Sequence, residues 1–155
     1  MEEQIMNMPA VALRGLTILP GMIAHFDISR ERSLRAVEEA MEQDQKIYLV
    51  TQRNVDSEDP TQEDLYQMGI VADIKQVVRL QNDVVRILVD GISRAALLGF
   101  TGNEKYLEAE ICYCDSNADS LPEDLREAML LGVREAFHRY AAVVGKISKE
   151  LIRQI

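Results

Sequence analysis

The 155-residue sequence predicts an α+β fold, with a small antiparallel β-barrel lobe followed by a C-terminal helical lobe. Three observations carry that expectation. Apolar residues alternate with polar ones through the middle of the chain, short turn signals separate those segments, and the alternation gives way to helical spacing near Ser120. Charge changes at the same place. Residues 1–120 hold 11 basic and 21 acidic residues, a net of −10, whereas residues 121–155 hold six and five. The expected lobes are therefore 1–118 and 119–155.

Each element follows from local chemistry. Residues 11–19 (VALRGLTIL) and 22–28 (MIAHFDI) read as two short strands separated by the turn dipeptide Pro20-Gly21. Ser29 offers a hydroxyl to cap a helix from Arg30 to about Glu42, along which Leu34, Val37 and Met41 recur. KIYLVT, 46–51, is short and β-rich. Residues 53–64 carry one basic and five acidic residues and read as a surface loop, with Thr61 or Asp64 able to start one helical turn. In 70–80, Ile70, Ala72, Ile74, Val78 and Leu80 are expected to face inward. Asn82-Asp83 then makes a hairpin turn, Val85, Ile87 and Val89 point inward, and Asp90-Gly91 turns the chain again. ISRAALLGF and KYLEAEICYC complete the meander.

The second lobe opens with a capping box, Ser120 and Glu123, and with Pro122 in the first turn. Leu125, Met129, Val133 (or Gly132), Phe137 (or Ala136), Tyr140 and Val144 (or Val143) form one apolar stripe. Gly145 is placed to end that helix and Ser148 to begin another. The last helix breaks off on Ile152 and Ile155 without a polar end, so the sequence reads as a piece of a longer protein, truncated mid-helix at 155.

Several function classes are disfavoured. A net charge of −9 and a pI near 4.7 argue against a nucleic-acid or anionic-membrane partner. The acidic N-terminus is no signal peptide, no apolar run spans a bilayer, and two cysteines make no disulfide framework, so the cytoplasm is the expected compartment. No phosphate-binding loop, GxSxG elbow or GxGxxG turn occurs. His25 and His138 lie in different lobes without a neighbouring Cys or His, which makes a metal site improbable. Cys112 and Cys114 share a strand face with Glu108 and Glu110, whose charge disfavours a thiolate. Glu38-Glu39 and Glu58-Asp59 are explained by solvation. Taken alone, the residues indicate a binding or interaction domain rather than an enzyme.

Six segments occur in an order and spacing that resemble the N-terminal domain of the Lon family of ATP-dependent proteases. They are LRGLTILPGM (13–22), SRERSLRAVEEAM (29–41), YLVTQR (48–53), Asp59-Pro60, LYQMGIVADI (65–74) and VDGISR (89–94). The resemblance covers about residues 9–115. It departs at Leu19, where the family often has Phe, and at Ala24-His25, where a proline is common; Pro9 alone represents a proline-rich opening.

The resemblance implies a PUA-like β-barrel in a non-catalytic domain that helps recognise unfolded or damaged polypeptides and supports hexamer assembly with neighbouring subunits. Cofactors are expected to be none here. ATP and Mg belong to the parent's ATPase module, and a Ser–Lys dyad to its serine protease domain, in a stress-response role. Pro20, Gly21, Met22 and Ile23, an apolar loop after a strand, form the expected substrate-binding patch, with Met68 as a second candidate. The alternatives are a free-standing adaptor of the same fold, a cysteine-dependent hydrolase using Cys112 or Cys114, and, by analogy with PUA domains, an RNA binder.

Overall fold

The computed structural model describes residues 4–114 and 120–155. The chain divides into two compact units, 1–115 and 116–155.

The first unit is a mixed six-stranded sheet with one helix. Its strands are β1 (Ile5–Leu13), β2 (Ile23–Ile28), β3 (Lys46–Thr51), β4 (Met68–Arg79), β5 (Val85–Phe100) and β6 (Glu108–Tyr113). Helix α1 (Glu31–Glu42) lies between β2 and β3 in the chain. The strand order is β2-β5-β4-β3-β1-β6, and β6 also pairs with β5, so five strands form a closed cycle of pairings with β2 outside it. The sheet is not wholly antiparallel as expected, because β1 and β3 run parallel. The chain between them makes a crossover that carries α1, and such a connection is what parallel neighbours require.

KIYLVT is β3 to the residue, and its central four residues are buried. Burial on both faces reflects two apolar clusters. Ile47 and Leu49 join Val11, Ile70, Ile74, Ile87 and the α1 residues Ala36, Val37 and Ala40 in one. Tyr48 and Val50 join Met8, Ala10, Val71, Leu97 and Ile111 in the other. Two irregularities redistribute the long strands between these clusters. A register shift between Ile74 and Gln76 reverses the alternation at Lys75, which leaves Val78 and Leu80 exposed rather than inward. A second shift, opposite Val71 and Ala72, adds Ile92 to β5. Val85, Ile87 and Val89 therefore serve the first cluster, and Ala95 and Leu97 serve the second.

Other boundaries moved for identifiable reasons. β1 starts at Ile5 because β6 pairs with residues 5–9, and it ends at Leu13 rather than continuing to Leu19. The N-cap of α1 is Arg30 rather than Ser29, and the helix starts at Glu31 rather than Arg30. Arg30 is held extended (φ −68°, ψ 133°), and no side chain caps the helix. Asp90-Gly91 is no turn, since β5 runs straight through it. Asn82 and Asp83 do turn, with φ of 60° and 57°. The acidic segment closes with a 3-10 turn, Gln62–Asp64, boxed by Thr61 and Asp64 side chains.

The second unit holds α2 (Glu123–Val144) and α3 (Lys149–Gln154). The expected helical lobe is absent as a packed body: Ala141 is the buried residue of α2, and α3 buries none. Leu125, Met129, Val133 and Tyr140 of the predicted stripe are exposed. Pro122, rather than Ser120, occupies the N-cap position. Gly145 ends the helix in the left-handed region (φ 65°), and the Ser148 hydroxyl accepts a bond from the Leu151 amide (3.2 Å). Among the described residues no helix is long and apolar enough to cross a membrane.

Candidate functional site

Residues 19–22 form a tight turn closed by the Met22 amide on the Leu19 carbonyl (3.1 Å). Pro20 occupies the second position, where its fixed φ suits a type II turn. Gly21 occupies the third with φ 78°, which an L side chain rarely adopts. The turn is fastened to the middle of β5. Gly21 donates to the Gly91 carbonyl (2.7 Å), and the Gly91 amide donates to the Met22 carbonyl (2.9 Å). A side chain at residue 91 would collide with the Leu19 carbonyl and the Ile70 methyl, so glycine there is a packing requirement.

This support presents apolar groups to solvent. Leu19 is 50% exposed, Met22 38% and Ile23 68%, and Ile92, next along β5 from Gly91, is 46% exposed. A backbone held by three hydrogen bonds that still exposes four large apolar side chains loses little entropy when it binds. Scattered apolar exposure is ordinary, but Leu19, Met22 and Ile23 are grouped on one short turn, and grouped exposure marks interaction surfaces.

Met68 belongs to another part of the surface. It pairs with Ala96, five positions beyond Gly91 and thus roughly 15 Å along the strand. Its thioether lies 3.8 Å from the Cys114 sulfur. Of the five expected contact residues, the structure brings together Pro20, Gly21, Met22 and Ile23 and separates Met68 from them. Leu19, Gly91 and Ile92 were missed. Leu19 was passed over as strand interior, and Asp90-Gly91 resembles a turn so closely that its role as a platform has no local signal.

A cleft of about 580 Å³ lies elsewhere, between the start of α1 and the acidic segment, and Arg14, Arg30, Arg32, Glu58, Asp59 and Pro60 are among its walls. Its polar groups are committed to holding that segment. Arg30 donates to the Gln52 side-chain carbonyl (2.7 Å) and to the Glu58 carbonyl (3.2 Å). Gln52, 2% exposed, donates to the carbonyls of Asn54 (2.9 Å) and Ser57 (3.0 Å). Arg14 reaches the Ser57 carbonyl (3.1 Å), and Arg32 pairs with Asp59 (3.3 Å). Burial, and secondarily the nearby Arg14 charge, lowers the Arg30 pKa from its ordinary value. The arrangement clamps a loop.

Residues considered for chemistry are dispersed. His25 is exposed on β2 and His138 on α2. The Cys112 and Cys114 sulfurs contact backbone carbonyls at 3.7 Å. No group of three His, Cys, Asp or Glu is placed to hold a metal ion among the described residues. Tyr48 has the largest displacement: burial pushes its pKa far above the usual tyrosine value, and its hydroxyl donates to the Ala95 carbonyl (3.0 Å) within the core.

The family model described as the ATP-dependent protease La (LON) substrate-binding domain matches residues 7–155. The chain is 38% identical over 155 residues to the Lon protease of Lachnoclostridium phytofermentans, spanning all of this chain and 19% of that protein. It is 32% identical over 149 residues to Lon protease 1 of Bacillus subtilis, covering 96% of this chain and again 19% of the relative. The chain thus spans about a fifth of the length of the curated relatives it matches. Its fold is similar to that of the N-terminal domain of a Mycobacterium avium complex Lon protease, with a TM-score of 0.71 and 16% identity over 96% of this chain and 74% of that one. A Lon N-terminal domain protein from Xanthomonas campestris aligns with a TM-score of 0.59 and 16% identity over 84% and 72%.

Proposed function

Because the chain belongs to the family of ATP-dependent protease La (Lon) substrate-binding domains, we propose that it is a non-catalytic module that grips unfolded or damaged polypeptides for an attached protease. The closed cycle of strands supports reading the first unit as a small PUA-like barrel, a rigid frame for that grip. The observation that carries the proposal is the Leu19–Ile23 turn, pinned to Gly91 by its backbone and apolar toward solvent. Unfolded chains differ from folded ones in offering apolar side chains, and an apolar platform selects them without reading a sequence. In this reading the parent carries an ATPase module using ATP and Mg and a Ser–Lys protease domain in the cytoplasm. It assembles as a hexamer, in which several weak grips act together through effective concentrations of about millimolar.

The test is a titration of isotope-labelled chain with casein, which lacks a fixed fold, followed by amide chemical shifts. Shifts at residues 19–23 and 92 are expected. The double substitution Met22→Ser with Ile23→Ser is expected to weaken binding with a change in thermal midpoint of no more than a few degrees, because both side chains already face solvent. Unaltered casein binding by that variant removes the turn as the contact surface.

A further inference from the structure

Strand β2 is outside the closed cycle and, among the described residues, pairs with β5 alone. Which of its backbone groups face β5 follows from the ladder. The Leu80 amide donates to the Val84 carbonyl (2.8 Å), so residue 84 and alternate residues after it face β4. Residues 85, 87, 89 and 91 therefore face β2, and the Gly91–Met22 bond at the other end agrees. Val85, Ile87 and Val89 lie opposite Ile28, Phe26 and Ala24. Those three residues spend their amides and carbonyls on β5. The amides and carbonyls of Ile23, His25 and Asp27 point away from it, and among the described residues no backbone bond satisfies them.

We infer that the outer edge of β2, residues 23–27, captures an extended segment of the bound polypeptide as an added β-strand, continuing the apolar contact of the Leu19–Ile23 turn. This rests on the function proposed above and specifies how the polypeptide is held. A row of alternating donors and acceptors at strand spacing is matched by one ligand class, another extended peptide backbone. The edge carries none of the lysines, prolines or bulges that usually block such pairing. Asp27, the one acidic side chain on it, is neutralised by two bonds from Arg86 (2.8 and 3.0 Å). The net charge of −10 over residues 1–120 favours a neutral or basic segment over an acidic one. Backbone pairing also suits a receptor that must accept many sequences, because every residue but proline supplies the same two groups.

The experiment uses the whole chain and a short synthetic peptide alternating valine and lysine, compared with the same peptide N-methylated at every second residue. Amide hydrogen exchange is read residue by residue. The unmethylated peptide is expected to slow exchange at Ile23, His25 and Asp27 by about tenfold or more, and methylation to weaken binding by about tenfold or more. His25→Pro deletes one outward donor at a position where an edge strand tolerates proline, and is expected to weaken binding similarly. Equal binding of the two peptides, with shifts still present at residues 19–23, overturns the added strand and leaves the recognition function standing. No binding of the peptides or of casein overturns both. Protection of residues 23–27 that rises with protein concentration and without peptide overturns the inference by assigning the edge to a second copy of the chain.

Discussion

Replacing Gly91 by alanine tests whether the exposed turn is held by the strand beneath it. The added methyl meets the Leu19 carbonyl oxygen, the Leu19 carbonyl carbon at 3.2 Å and the Ile70 methyl at 2.9 Å. Ile70 is 2% exposed and cannot swing aside, so the turn must lift. Overpacking of this kind costs about 1–3 kcal/mol. Lifting the turn weakens the Gly21–Gly91 and Gly91–Met22 bonds, each contributing about 0.5–1.5 kcal/mol. The terms overlap, and a loss of about 2–4 kcal/mol is expected. For a unit of this size that lowers the thermal midpoint by about 8–17 °C. Gly99→Ala is the control in the same strand, because its new methyl meets nothing closer than the Gln62 side chain at 3.8 Å; it should change stability by less than about 1 kcal/mol. Urea unfolding followed by circular dichroism compares the two. If Gly91→Ala proves as stable as Gly99→Ala, with unchanged shifts at residues 19–23, the turn is not seated on Gly91 and the argument for a pre-organised surface fails.

Three further outcomes follow from buried or paired groups. Tyr48 has its pKa raised by burial, so its contribution is complete below pH 10 and declines as pH rises toward the folded-state pKa. One of the five tyrosines should therefore stay un-ionised in an ultraviolet titration until the protein unfolds, and Tyr48→Phe should remove that late step. Asp27 has its pKa lowered by the Arg86 hydrogen bond, so its small contribution is present above the unfolded-state pKa and is lost as pH falls through the folded one; Asp27→Asn should flatten that acid limb of the stability profile. Arg30→Ala leaves the buried Gln52 carbonyl without its donor, at a cost of about 1–3 kcal/mol, and should speed hydrogen exchange across residues 53–64 before it affects the sheet.

Features decided by neighbouring residues were legible in the sequence. β3, the Asn82-Asp83 turn, the inward set Val85, Ile87 and Val89, the Pro20-Gly21 turn, and the Gly145 and Ser148 helix ends each depend on a few adjacent side chains and their φ preferences. Features decided by distant contacts were not. Gly91 reads as a turn residue until Leu19, far away in sequence, is known to rest on it. The reversal at Lys75 exposes Val78 and Leu80 although their spacing matches Ile70 and Ile74, because a bulge leaves no mark on hydrophobic alternation. The parallel pairing of β1 with β3 likewise follows from where the chain returns. The apolar stripe expected along α2 buries little, since Leu125, Met129, Val133 and Tyr140 are exposed and helical spacing alone does not supply a partner.

The ring of strand pairings also sets an order of events during synthesis. Ile5 pairs with Cys112, so the first strand made must wait for the last before the cycle is complete. At about 5–20 residues per second, that wait lasts roughly 5–20 s. Throughout it, the β1 edge that will receive β6 is an open template on a nascent chain. Such long-range closure slows folding and leaves edges available for wrong pairing. A domain proposed to hold unfolded polypeptides is, for those seconds, one of them.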